Sequence, residues 1–121
     1  MTYIKIKDLV PKTVGINIIA RVIIKGEGRM VKTKYGHSRV CSITIADETG
    51  AVTLSLWGSK INEANFGDLL EIKEGFCGEW QGLPQLSLGR EGSMTIIEDK
   101  DFPDAQTLLA VYKEQNLRTD D

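Results

Sequence analysis

The feature that most constrains the fold is the segment at residues 51–57, where apolar side chains alternate with the side chains of the other face from residue 52 onward. The apolar positions are Val52, Leu54 and Leu56, and the intervening positions are Thr53, Ser55 and Trp57. A period of two residues is typical of a half-buried β-strand, because successive side chains point to opposite faces of a sheet. The segment therefore predicts a strand with an apolar inner face and a tryptophan on its polar outer face.

Four further segments predict strands around this one, because they are rich in β-branched residues and are bounded by turn residues. They are residues 16–25, residues 39–46, residues 69–77, and a last strand that residues 89–92 break into 85–88 and 93–97. The polar, glycine-punctuated stretch 26–38 predicts a loop or a frayed hairpin tip. Residues 47–50 supply the Asp and Gly of a tight turn between the second and third strands.

Two helices complete the predicted layout. Residues 59–66 have the composition of a short helix between the third and fourth strands, and Pro103 and Asp104 open a second helical pattern. Its apolar stripe consists of Ala105, Leu108, Leu109 and Tyr112. We expect this helix to pack under the strands or on another subunit. The final residues, 118–121, read as a frayed tail.

Five strands with a helix between the third and fourth predict an all-β, five-stranded OB-fold (Greek-key) barrel followed by a C-terminal helix. A β-sandwich would usually have more strands. The expected organisation is an OB-fold nucleic-acid-binding domain at residues 1–102, and a C-terminal helix with a short tail at residues 103–121.

The charge of the chain is strongly segregated although its net charge is only −2. Residues 1–40 carry nine Lys and Arg against two acidic residues, whereas residues 41–121 carry six basic and fifteen acidic residues. This asymmetry favours one face for a polyanion and one for water or a partner, with a simply solvated charge run as the alternative.

Catalytic and metal-binding chemistry find little support in the sequence. His37 is the only histidine and has no nucleophile near it in sequence, and there is no glycine-rich phosphate loop followed by Lys-Ser or Lys-Thr. Cys41 and Cys77 are far apart and form no C-x-x-C pair, which argues against zinc and against a disulfide framework. We therefore expect no enzyme activity, no cofactor and no metal.

The sequence also bears on location. It contains no apolar run of the ~20 residues that a membrane span requires, and its start lacks a secretory signal. We expect a cytoplasmic protein without a membrane partner, or a nuclear one if its cell has a nucleus.

Three aromatic residues are candidates for stacking on nucleic-acid bases. Trp57 is predicted on a polar strand face, where an indole ring offers a platform for a base, although a tryptophan that caps the barrel end is the alternative. Trp80 lies at the hairpin between the last two strands, which favours a ligand contact. The parity of Phe76 puts it in the core unless Gly75 or Gly78 inserts a bulge.

Basic residues around the first long loop are candidates for following a phosphate backbone. They are Arg29, Lys32, Lys34 and Arg39, with Arg90 between two glycines and with Arg21 and Lys25 on the adjoining strand. Aromatic and basic residues interleaved on this strand layout are typical of nucleic-acid binders.

These segments resemble a known family: the simple archaeal single-stranded DNA-binding proteins, their counterparts in eukaryotic DNA-damage sensor complexes, and the OB domains of replication protein A. The resemblance covers about residues 6–103. It rests on Ala46-Asp47-Glu48-Thr49-Gly50 leading into Leu54-Ser55-Leu56-Trp57-Gly58, on Gly67-Asp68, and on Phe76 with Trp80-Gln81-Gly82, Leu86 and Gly89-Arg90.

The resemblance implies non-catalytic binding of single-stranded DNA in replication or repair, with bases stacked on Trp57, Phe76 and Trp80. It also implies the bulge that would expose Phe76. Two other functions stay open: an adaptor subunit that binds protein, or associates with itself, through a helix at residues 103–116, and an RNA-binding OB domain. The sequence does not decide between DNA and RNA, because stacking ignores the 2′-hydroxyl.

Overall fold

The computed structural model describes residues 2–119, with side chains described as far as residue 115. The strands are β1 (Thr13–Lys25), β2 (Arg29–Thr33), β3 (Gly36–Asp47), β4 (Gly50–Trp57), β5 (Leu69–Trp80), β6 (Leu83–Ser87) and β7 (Ser93–Ile97). The helices are two short 3-10 helices, Ile6–Asp8 and Gly58–Glu63, and one α-helix, α1 (Ala105–Thr119). No helix in the described part of the chain is long and apolar enough to span a membrane.

Five of the strands close into a barrel in the order β1, β3, β4, β6, β5, and β5 pairs back to β1. The β4–β6 pairing is parallel and the other pairings of the barrel are antiparallel. β6 pairs with the second half of β5 and β7 with its first half. The predicted five-stranded barrel and the break in its last strand are therefore confirmed.

The inside of the barrel is filled by aliphatic side chains from every strand that forms it. Fully buried examples come from β1, β3, β4, β6 and β5 in turn: Ile18, Ile43, Leu54, Leu86 and Leu70. The alternation of β4 is as predicted, with its apolar positions buried and Trp57 exposed. Burying each such aliphatic side chain contributes about 1.5–3 kcal/mol, so the core fixes which face of each strand looks outward.

Two predicted segments differ from the structure in detail. Residues 26–38 form more than a loop, because β2 pairs with β3 from Arg29↔Val40 to Thr33↔Gly36 as a hairpin that extends the sheet. The segment after β4 forms a 3-10 helix without a side-chain hydrogen bond at its N-terminal cap. This helix follows the last residue of β4 directly, so it begins one residue before the predicted start and ends before the predicted end.

The N-terminal segment is fixed to the β3–β4 turn by a buried carboxylate. Asp47 is the only buried polar or charged residue among those described, and its Oδ2 accepts the Ile6 N–H at 2.9 Å. Its Oδ1 accepts the Thr49 N–H at 2.7 Å, as the turn prediction implies. The carboxylate thus satisfies backbone groups from two segments, which burial would otherwise make costly.

Helix α1 packs on its own barrel, which is one of the two expected locations. Ala105 and Leu108 are buried against Ile23 of β1 and Ala46 of β3, and the other members of the predicted stripe pack around them. The helix continues through Thr119, so half of the predicted tail belongs to it. The other half, residues 120–121, lies outside the described residues.

The start of α1 is held by a hydrogen bond within its first turn and by another to the residue pair that precedes it. Asp104 precedes the helix, and its Oδ1 accepts the Thr107 N–H at 2.8 Å. This hydrogen bond, with a smaller contribution from Arg21, lowers the pKa of the Asp104 carboxyl. Arg21 donates from Nε to the Pro103 carbonyl at 2.7 Å and lies over the Phe102 ring at 5.6 Å. The helix is thereby joined to β1 by polar as well as apolar contacts.

Candidate nucleic-acid interface

The outer face of β3, β4 and β6 carries small polar side chains, which we call the polar floor. Paired residues of neighbouring strands lie side by side on the same face of a sheet. Two rows of the floor follow from the register: the serine row, Ser42, Ser55 and Ser87, and the threonine row, Thr44, Thr53 and Gln85. Between the rows, the Gln85 Nε2 donates to the Ser55 Oγ at 2.8 Å. The floor offers hydroxyl and amide groups and leaves room for a ligand above it.

Trp57 lies at the last position of β4, beyond the serine row. Its side chain is 45% exposed. A depression of about 390 Å³ beside it is lined by Trp57, Lys60, Arg90 and residues of the serine row. The structure therefore brings together two of the predicted site residues, Trp57 and Arg90, although they are far apart in sequence.

Trp80 lies at the last position of β5, where the β5–β6 hairpin turns. Gln81 and Gly82 have φ 52° and 81°, so both central residues adopt the left-handed region that is typical of two-residue hairpin turns. Trp80 is 61% exposed and pairs with Leu83 across the turn. The turn thus holds a large ring at the rim of the sheet, away from the core.

A groove of about 570 Å³ connects Trp80 to the basic hairpin across the polar floor. Its lining includes Trp80 and Leu83 from one side, Arg29 from the other, and the threonine row between them. Helix α1 also contributes to the lining through Tyr112. The sequence predicts Tyr112 in an apolar stripe of the helix. Its position in the lining of the groove could not be predicted, because the docking of α1 depends on contacts with distant strands.

Phe76 faces outward and is 41% exposed, so the expected bulge is present. Its position differs from the prediction. Between the pairs Ile16↔Gly75 and Ile18↔Ile72, β5 has one residue more than β1. The residue in the left-handed region there is Glu74, with φ 55°, and neither Gly75 nor Gly78 has a positive φ.

The bulge is supported from β1 and makes room for the phenylalanine ring. The Asn17 Oδ1 accepts the Glu74 N–H at 3.1 Å, which satisfies a backbone group at the irregular position. Beyond the bulge, a Cβ atom on Gly78 would lie only 3.1 Å from the Phe76 Cε1. Gly78 therefore provides the close surface on which the Phe76 ring rests.

The predicted basic residues of the first loop divide between two faces of the β2–β3 hairpin. Arg29 is opposite Val40, which is itself opposite Trp57, so Arg29 shares the face of the groove. Lys32 is opposite His37, at the alternate parity, and therefore lies on the reverse face.

The two other candidates on this hairpin are also set apart from the groove lining. Arg39 is opposite Met30 and has the same parity as His37. Its guanidinium lies close to Gly28, where an added Cβ would come 2.7 Å from the Arg39 Nη2. Lys34 occupies the turn, with its Nζ 5.1 Å from the centre of the Tyr35 ring.

The two basic residues predicted on the adjoining strand are used inside the fold. Besides its bond to Pro103, Arg21 donates from Nη1 to the Gly67 carbonyl at 2.8 Å. Lys25 donates from Nζ to the Ile61 carbonyl at 2.8 Å and to the Asn65 Oδ1 at 3.1 Å. Their cationic groups hold connections of the barrel, and a position of either residue beside a phosphate path stays a prediction.

Metal-ligand groups do not gather anywhere in the part of the chain that the structure describes. Within residues 2–119, no three His, Cys, Asp or Glu side chains are placed to hold a metal ion. Cys41 and Cys77 are both buried and free of a disulfide. Burial raises the pKa of the Cys77 thiol, which keeps it in the neutral form.

The closed five-stranded barrel, its parallel β4–β6 pair and its docked C-terminal helix define an OB-fold protein. Over 81% of its length it superposes on the OB domain of Ta0387 from Thermoplasma acidophilum, with a TM-score of 0.70, 17% identity and 89% of that chain covered. It also matches the second OB-fold domain of replication protein A from Methanococcus maripaludis, with a TM-score of 0.66, 24% identity, and 82% and 98% of the two chains covered. These two likenesses establish the fold.

A relative is also found by sequence. The chain is 27% identical over 104 residues to the single-stranded DNA binding protein Ssb of Saccharolobus solfataricus, and the match covers 86% of this chain and 70% of that protein. No protein-family model matches the chain. The resemblance predicted from the sequence motifs is therefore confirmed as a similarity to Ssb and to OB-fold domains of replication protein A.

Proposed function

We propose that this protein binds single-stranded DNA, without catalysing a reaction, in the groove on the outer face of β3, β4 and β6. The observation that carries the proposal is the exposure of Trp57, Phe76 and Trp80 around one polar floor, which Phe76 adjoins through its pairing with Ser87. The similarity to a protein named single-stranded DNA binding protein supports the choice of ligand. The role would lie in DNA replication or repair, in the cytoplasm or, in a eukaryotic cell, in the nucleus.

The aromatic side chains supply the attraction for unpaired bases. An exposed indole or phenyl ring leaves apolar area in water, and a base that stacks on it covers that area with its own π-face. Each stacked base contributes about 1–3 kcal/mol in proteins that bind single strands. Three rings at the edges of one floor suit a flexible strand, whereas the bases of a duplex are already stacked on one another.

Basic side chains supply the attraction for phosphates. Arg29 and Arg90 line the two depressions and are proposed as direct phosphate contacts. Lys32, Lys34 and Arg39 extend the basic character along the β2–β3 hairpin, and we propose that they meet phosphates at the margin of the groove. The chain is acidic on average, but a local basic surface is enough to attract a strand.

The adaptor function has less support than DNA binding. The apolar stripe of α1 that suggests a partner at residues 103–116 is covered by Ile23 and Ala46 of the same chain. RNA is the closer alternative ligand, because the proposed stacking does not depend on the sugar.

A competition titration tests the proposed function. Trp57 and Trp80 are the only tryptophans, and we expect a thymidine oligomer to quench their fluorescence as bases stack. Duplex DNA of the same length should compete weakly, and the matching uridine oligomer measures the preference between DNA and RNA. Unchanged fluorescence together with no binding of the oligomer in anisotropy measurements would reject the proposal. Preferential binding of the uridine oligomer would favour the RNA-binding function.

A further inference from the structure

Tyr112 of α1 lies where the groove meets the C-terminal helix. The groove lining that contains Arg29 and Trp80 also contains Tyr112, together with Ala51 and Thr53 of β4. Ala51 lies near the first position of β4, whereas Trp57 is its last residue. Tyr112 therefore stands at the opposite end of the outer face from Trp57.

The Tyr112 side chain is held in place before any ligand binds. It is partly buried, and it packs against the cluster formed by Ile23, Ala46, Ala105 and Leu108. That packing fixes the helix and restricts the Tyr112 side chain. A ligand that contacts Tyr112 therefore loses little binding free energy to the ordering of this side chain.

The hydroxyl of Tyr112 is open to a ligand. Among the residues that the structure describes, none forms a hydrogen bond with this group, and no buried polar side-chain atom lacks a partner. A phenol presents a ring face to a base and an O–H donor to a phosphate or a base edge. The chemistry of Tyr112 therefore matches that of an unpaired nucleotide.

We propose that Tyr112 contacts a nucleotide of the bound strand, so that α1 is part of the binding site. This inference rests on the proposed function and adds a contact on an element outside the barrel. It has a thermodynamic consequence: if docked α1 binds the strand and undocked α1 does not, the strand stabilises the docked helix, and the docked helix tightens binding by the same factor.

Photo-cross-linking of the unmodified protein tests the contact directly. A short oligomer carrying 5-bromodeoxyuridine at one position at a time is bound to the protein and irradiated, and the complex is then digested. We expect an adduct on Tyr112 for label positions at one end of the bound segment. Adducts confined to peptides with Trp57, Phe76 or Trp80 would overturn the inference and leave the proposed function intact.

A variant pair gives a second measurement. Tyr112→Ala should weaken oligomer binding at least about 5-fold, which corresponds to the lower end of the range for one stacked base. Val111→Ala is the matched control, because Val111 is exposed on the same helix and does not line the groove. It should bind within about twofold of the unmodified protein, since side chains outside the contact contribute little. Equal affinities of both variants, with no adduct on Tyr112, would overturn the inference.

The same experiments separate this inference from the proposed function. Failure of the unmodified protein to bind the oligomer would reject both. Binding that Trp57→Ala weakens and Tyr112→Ala leaves unchanged, without an adduct on Tyr112, would reject only the contact through α1.

Discussion

The Phe76 ring rests on Gly78, so closely that a Cβ atom on Gly78 would lie 3.1 Å from the Phe76 Cε1. The same added atom would be 3.8 Å from the Gln85 carbonyl oxygen, which is an ordinary contact. A methyl group at this position therefore acts mainly on the orientation of the ring.

Gly78→Ala should weaken the binding of a thymidine oligomer by about 5-fold, because the displaced ring loses part of one base stack worth about 1–3 kcal/mol. Affinity is measured by anisotropy and stability by thermal unfolding. Gly50→Ala is the control, since its methyl group would meet only Ile6 Cγ2, at 3.6 Å. A Gly78 variant that binds like the unmodified protein would show that the ring position is unimportant.

Trp57→Ala and Trp80→Ala should each weaken oligomer binding roughly 5- to 150-fold, the range that corresponds to one stacked base. Folding should largely survive, because both side chains are substantially exposed. Leu54→Ala, in the barrel core, should instead cost about 2–5 kcal/mol of stability. Unfolding of Trp57→Ala would support the alternative of a tryptophan that caps the barrel end.

Binding should weaken with salt in proportion to the phosphate contacts. About three or four contacts predict a slope of log affinity against log salt of about −2 to −3, at roughly −0.7 per contact for a single strand. Arg29→Ala and Arg90→Ala should each make the slope less steep by about 0.7. Lys7→Ala removes the same charge outside both depressions and is the control for net charge. A flat salt response would contradict the assignment of all the basic residues.

The same salt titration ranks the remaining basic residues of the hairpin. Lys32→Ala and Lys34→Ala should reduce the slope less than Arg29→Ala does, because Lys32 is on the reverse face and Lys34 is in the turn. Their thermal stability should hardly change, since exposed charges contribute little to folding. Effects that exceed that of Arg29→Ala would place the phosphate path on the reverse face of the hairpin.

The attachment of α1 should weaken in acid. The pKa of Asp104 is lowered from its ordinary value of 3.8, first by the hydrogen bond from the Thr107 backbone. A lowered pKa in the folded state adds stability above the ordinary value, and that contribution is lost as the pH falls through the folded pKa. Helix content, followed by far-ultraviolet circular dichroism, should fall over this acidic range. Asp104→Asn keeps an oxygen that can accept the Thr107 N–H but has no titrating group. This variant should not show the fall in helix content that comes from protonation of Asp104.

Removal of residues 103–121 tests the expected division into a domain at residues 1–102 and a helical segment. The truncation exposes Ile23 and deletes Leu108, and each such buried side chain contributes about 1.5–3 kcal/mol. The shortened protein should therefore melt at a lower temperature and, if Tyr112 contacts DNA, bind the oligomer more weakly. An unchanged melting temperature would show that α1 contributes nothing to the stability of the barrel.

Much of the barrel could be predicted from the sequence because the information it needs is local. The alternation of residues 51–57 determines the parity of Trp57, and the glycines at residues 89 and 92 mark the break between β6 and β7. The outward position of Phe76 follows from the resemblance to known proteins, since strand parity alone favours the core.

The remaining features depend on partners distant in sequence. The bulge lies at Glu74, a residue type that rarely takes a positive φ, and its support comes from Asn17. The sequence shows the positive charges of Arg21 and Lys25, which suggest phosphate contacts. It does not show the distant carbonyl groups that accept their hydrogen bonds in the folded protein. The position of Tyr112 beside the groove could not be predicted either, because it depends on contacts of α1 with strands that are distant in sequence.

The parallel pairing of β4 with β6 has a consequence for protein synthesis. The floor of the groove joins side chains 30 residues apart, as in the hydrogen bond from Gln85 to Ser55. Because β6 follows β4 in the sequence, a nascent chain contains Trp57 before it contains the β6 residues, and at that stage the floor is incomplete. The nascent protein should therefore acquire affinity for a strand late and abruptly, once Ser87 has emerged and the barrel has closed.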